Sequence, residues 1–72
     1  MNRKLLILDD DNALRRMLTR AMEQREFTVM AAASVQEALS HIQHQAPDYA
    51  ILDLKLEDGN GLEVVRSLQS LN

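Results

Sequence analysis

Three short, almost uninterrupted apolar runs, Leu5–Leu8, Phe27–Met30 and Tyr49–Leu52, each precede a stretch with helical spacing in this 72-residue chain. Runs that are apolar at successive rather than alternate positions suit strands covered on both faces, as in a parallel sheet. After the first run, Asn12 can serve as N-cap for a helix whose apolar positions are Leu14, Met17, Leu18, Ala21 and Met22. After the second, Ser34 caps a helix, Glu37 completes a capping box, and Val35, Ala38, Leu39 and Ile42 form the inward stripe until Pro47 ends it. After the third, a flexible loop over 54–59 leads to a helix opened by Gly59 or Asn60, with Glu63 bonding back and Leu62, Val65 and Leu68 facing inward. The expected strands span about 4–8, 27–31 and 48–53, and the helices about 12–25, 34–45 and 60–71. Strand-helix alternation three times over implies right-handed crossovers and one α/β unit across 1–72.

Composition narrows the function classes. There is no cysteine, so neither a disulfide nor a thiolate ligand exists, which fits a reducing compartment. The net charge of −3 and the lack of a basic patch argue against nucleic-acid binding by this segment itself. Arg15, Arg16, Arg20 and Arg25 read as the solvated face of the first helix. No apolar run approaches the roughly 18–20 residues of a membrane span, and Leu5–Leu8 is too short for a signal peptide. The expectation is a soluble, cytoplasmic protein that does not engage a membrane. His41 and His44 have metal-compatible spacing but no third ligand nearby in sequence, and read as solvated histidines.

The chemistry lies in the acids. The first apolar run ends in Asp9-Asp10-Asp11, and the third ends in Asp53. Ligands of open α/β sheets bind beyond the carboxyl ends of the strands, at a topological switch point. If the first and third strands are neighbours, Asp9, Asp10 and Asp53 meet in one crevice. Carboxylates that close resist joint ionisation, and a hard divalent cation relieves them. Mg2+ suits an all-oxygen site with one or two carboxylates, water and phosphate. Asp53, alone at its strand end, is the candidate nucleophile toward a phosphoryl group. Asp11 and Asn12 read as ordinary loop and capping residues.

The acidic pair Asp9-Asp10, the strand-end Asp53, Gly61 eight residues beyond it and the segment DLKLEDGNGLEVV over 53–65 together resemble the CheY-like receiver domain of two-component response regulators. The loop LEDGNGL is similar to that of the RegA, PrrA and ActR branch of redox-responsive transcription regulators. The resemblance implies the amino-terminal (βα)3 half of a flavodoxin-like doubly wound parallel sheet, with strand order 2-1-3. It implies a phosphoacceptor module rather than an enzyme, taking phosphate on Asp53 from a histidine kinase. It further implies Mg2+ ligation by Asp10, Asp53 and the backbone carbonyl of Lys55, with Asp9 acting through water. The Lys55 side chain would lie beside the phosphoryl group. Glu57 stands where many receivers carry proline.

The family fold has five strands and five helices, so the resemblance implies a receiver truncated after its third helix. The switch Ser or Thr and the lysine of the later strands have no counterpart here, and impaired phosphorylation of the fragment is expected. The third strand is expected to be a bare apolar edge, leading to a homodimer or swapped oligomer through that strand or the last helix. DNA would be bound only through a further C-terminal domain. Two other readings stand beside this one. Asp9-x-Asp11 also fits a haloacid-dehalogenase-type phosphatase, with Asp9 as nucleophile and Asp11 as acid/base. The chain could also be an interaction fragment without phosphotransfer.

Overall fold

The computed structural model describes residues 3–53, 55–56 and 59–71. Strand β1 (Arg3–Leu8) leads into helix α1 (Asn12–Glu23), β2 (Phe27–Ala32), α2 (Val35–His44) and β3 (Tyr49–Leu52). Two short strands, β4 (Lys55–Leu56) and β5 (Gly59–Asn60), precede α3 (Leu62–Gln69). The main sheet is parallel with order β2-β1-β3, the expected 2-1-3 arrangement.

As the central strand, β1 is covered on both faces. Leu5, Leu6, Ile7 and Leu8 are all buried, each worth about 1.5–3 kcal/mol in removed apolar surface. Side chains alternate across a strand. Leu6 and Leu8 join Ala32, Val35, Ala38, Ile42 and Val64 in one core beneath α2 and α3. Leu5 and Ile7 fall on the opposite face, the side of α1, which contacts β1 and β2. Among the described residues β3 pairs only with β1, and Tyr49, Ala50 and Ile51 are exposed.

Local chemistry sets the helix ends. Ser34 accepts from the Glu37 amide at 3.1 Å, as expected of an N-cap, but Glu37 reaches one residue further back, to the Ala33 amide at 3.0 Å. The N-cap of α1 is Asp11, which accepts from the Leu14 amide at 3.0 Å, so Asn12 is the first helical residue. α1 ends two residues earlier than the spacing suggests, in a turn where Glu26 adopts a φ of +69°.

The inward faces of two helices differ from expectation. α1 buries no residue completely: Leu14 and Met17 are exposed, and Leu18 and Met22 are half-buried. With only one helix on that side of the sheet, no second element closes over its apolar stripe among the described residues. In α3 the buried residue is Val64, while Leu62 is 46% exposed and Val65 half-buried. α3 is capped by Gly61 without a side-chain bond, and Asn60 accepts from the Leu62 amide at 2.9 Å. Position 64, not 62 or 65, faces the core, and Leu68 packs against it as expected.

The segment expected to be a plain flexible loop contains the antiparallel pair β4–β5, with Lys55 opposite Asn60 and Leu56 opposite Gly59. Leu54, Glu57 and Asp58 lie outside the described residues, as does the Lys55 side chain. Gly59 has a φ of +156°, and a Cβ there would lie 3.4 Å from Glu63 Oε1.

Candidate functional site

The site forms where the two ladders of β1 run out. The Asp9 amide donates to the Ala32 carbonyl at 3.1 Å, extending the β1–β2 pairing by one residue. The Asp53 amide donates to the Leu8 carbonyl at 2.9 Å, doing the same for β1–β3. Both acids are therefore held by backbone at the carboxyl end of the sheet, Asp9 at the end of the central strand and Asp53 at the end of its neighbour β3. One carboxylate oxygen from each of Asp9, Asp10 and Asp53 lies within 4.8 Å of the others. Asp9 and Asp53 are half-buried and Asp10 is exposed.

The loop between β1 and α1 shapes this cluster. Asp9 Oδ1 accepts from the Asp11 amide at 2.9 Å, folding the chain over itself. That bond ties the Asp9 carboxylate to the loop. Asp11 is turned into the helix as its cap and is not a member of the carboxylate trio. This separates the two acids that a phosphatase of the Asp-x-Asp type would use together.

Arg15 belongs to the site's frame, in contrast to the solvated role its sequence position suggests. It is half-buried, and its guanidinium donates to the Asp9 carbonyl at 2.8 Å and to Asn12 Oδ1 at 2.6 Å. The available sequence signal was a cation at the end of the first helical turn, where the macrodipole disfavours one. His41 and His44 are not directed at a shared ligand: His41 Nε2 bonds the Ala31 carbonyl at 3.0 Å, and His44 Nδ1 bonds the Ser40 carbonyl at 2.8 Å.

The donor set is oxygen only and triply anionic, the chemistry of a hard cation site. Octahedral Mg2+ with ligands at about 2.0–2.1 Å places ligand oxygens about 3–4 Å apart. Three carboxylate oxygens within 4.8 Å of one another are close enough to surround one such ion.

Comparison with known proteins places the chain in a family. Residues 5–72 match the response regulator receiver domain. The chain is 52% identical over 68 residues to the photosynthetic apparatus regulatory protein RegA of Rhodobacter capsulatus, covering 94% of this chain and 37% of that protein. It is 44% identical over 68 residues to the acid tolerance regulatory protein ActR of Rhizobium meliloti, covering 94% and 35%. The chain thus spans about a third of the length of the curated relatives it matches. Among solved structures, the non-phosphorylated HemR receiver domain from Leptospira biflexa superposes with a TM-score of 0.85 at 31% identity, covering 93% of this chain and 54% of that one.

Proposed function

The chain belongs to the response regulator receiver domain family of two-component systems, and on that premise we propose that it accepts a phosphoryl group on Asp53 from a histidine kinase. The observation that carries this reading is the convergence of the Asp9, Asp10 and Asp53 carboxylates at the end of the central and third strands. In the transfer, an oxygen of the Asp53 carboxylate bonds to phosphorus. The phosphorus–nitrogen bond of the kinase phosphohistidine breaks, and its electron pair stays on the imidazole nitrogen. The product is an acyl phosphate on Asp53.

Asp10 and Asp53, with the Lys55 backbone carbonyl, are the residues we assign to direct Mg2+ ligation, and Asp9 to a contact through water. When bound, that ion supplies neutralisation of charge on the transferring phosphoryl oxygens. Asp9 and Asp10 hold the negative environment that recruits the cation, and Asp53 supplies the nucleophilic oxygen. This is an acceptor role and not an enzymatic one. Among the described residues no helix is long and apolar enough to cross a membrane; we place the protein in the cytoplasm.

We assign the module to a transcription regulator that reaches DNA through a separate C-terminal domain, by analogy with the regulatory relatives above. The 72 residues alone are expected to phosphorylate slowly, because neither the switch hydroxyl nor the lysine of the family's later strands is among them. Self-association through the exposed β3 edge or α3 accompanies this reading. Exposed Tyr49 and Ile51 beside the unpaired edge of β3, and exposed Leu71 after α3, support it.

The test is incubation with acetyl phosphate and Mg2+, followed by reductive trapping and peptide mass spectrometry. A label on Asp53, abolished by Asp53→Asn, is expected. A label on Asp9 instead would establish the phosphatase-type alternative.

A further inference from the structure

We propose that Arg15 is a positioning residue for the acidic pocket, holding the β1–α1 loop in its cation-ready shape before any cation arrives. The inference rests on the reading of Asp9, Asp10 and Asp53 as a Mg2+ site and adds a residue outside the ligand set.

The guanidinium sits half-buried at the end of the first turn of α1 and ties the loop to the start of the helix, donating to the Asp9 carbonyl at 2.8 Å and to Asn12 Oδ1 at 2.6 Å. Its own amide bonds the Asp11 carbonyl at 2.9 Å, so one residue contacts the chain at positions 9, 11 and 12. Asp10 lies between these anchors. A positive side chain here runs against the helix macrodipole, and the first turn holds no acidic residue to offset it. What offsets it is the acidic loop, whose carbonyl and amide oxygens it binds in a fork that lysine cannot reproduce.

Two effects of removing Arg15 oppose one another. Loss of a nearby positive charge favours cation binding, and loss of the clamp disfavours it because the loop must then order on binding. Both bonds are short and charge-assisted, whereas a solvent-facing charge is screened, so the clamp is the larger effect. Partners that orient metal ligands from outside typically change affinity by about 10–100-fold when mutated.

Titration of the full chain with MgCl2 by calorimetry tests this. Arg15→Met is expected to weaken Mg2+ binding about tenfold, and Arg15→Lys to recover part of the loss, since it restores one donor but not the fork. Urea denaturation in EDTA is expected to show little change for either variant. The Asp11 amide proton is expected to exchange faster in Arg15→Met, while the amides of Leu6 and Leu8 keep their protection. Unchanged or tighter Mg2+ binding by Arg15→Met, with wild type binding and Asp10→Asn not binding, overturns the clamp and leaves the site reading intact. Failure of the wild-type chain to bind Mg2+ overturns the site reading, and the proposal falls with it.

Discussion

The Asp53 amide donates to the Leu8 carbonyl at 2.9 Å, so the proposed phosphoacceptor is joined to the backbone of the central strand immediately before the Asp9-Asp10 pair. The site geometry is thus a property of sheet register. A slip of one residue between β1 and β3 would turn Asp53 to the other face.

If three like charges are gathered for a cation, removing one relaxes the empty site and impairs the loaded one. Asp10→Asn should raise stability in EDTA by about 0.5 kcal/mol, an exposed-charge magnitude, because Asp10 is exposed. Mg2+ should stabilise the wild type by ligand linkage and the variant far less. Urea melts with and without MgCl2 measure both, and an equal Mg2+ effect on the two proteins would contradict the assignment.

Asp11 is a helix cap and not a site residue. Asp11→Ala should therefore lower stability by about 1 kcal/mol and leave phosphorylation by acetyl phosphate within about twofold, the scale of a surface change away from the chemistry. Thermal denaturation and the rate of acyl-phosphate formation separate the two roles.

The two faces of α3 give a paired test. Val64→Ala removes two buried methyl groups from the core under α2 and should destabilise by about 2 kcal/mol, since Val64 is fully buried. Leu62→Ala, at an exposed position, should stay within about 0.5 kcal/mol. The reverse ranking in chemical denaturation would mean that α3 is rotated.

Glu26 holds a left-handed φ of +69° in the turn between α1 and β2. Glycine takes this conformation without the Cβ clash that disfavours other residues by about 1–2 kcal/mol. Part of that gain is lost to the freer unfolded chain, so Glu26→Gly should stabilise by about 0.5–1 kcal/mol. Glu26→Val should destabilise.

The exposed apolar edge predicts concentration-dependent association. Ile51→Lys places a charge on β3, a known guard against edge pairing, and should shift the sedimentation coefficient toward the monomer. An unchanged distribution would direct attention to α3 as the contact.

Which parts were legible in the sequence follows from how local their causes are. Parallel strands were readable because Leu5–Leu8 is apolar at every position, whereas their order followed only from the family resemblance. The Ser34 cap was readable because its partner lies three residues away. The inward face of α3 was not, because apolar residues at 62, 64, 65 and 68 lie on more than one side of an eight-residue helix, and the preceding β4–β5 pair, two residues a side, is too short to leave a periodic signal. The α1 stripe was readable as an apolar stripe, but its burial needs a covering element. Arg15 was misread as solvated because its partners are a backbone carbonyl and an asparagine, groups that carry no charge to mark them as acceptors.

Because the pocket takes its acids from the ends of β1 and β3, with β2 and two helices between them in the chain, it cannot assemble from any one local segment. Its last member waits for the third strand to dock. A chain whose sheet is unfinished or out of register offers scattered carboxylates, and only the registered sheet brings the three within reach of one another.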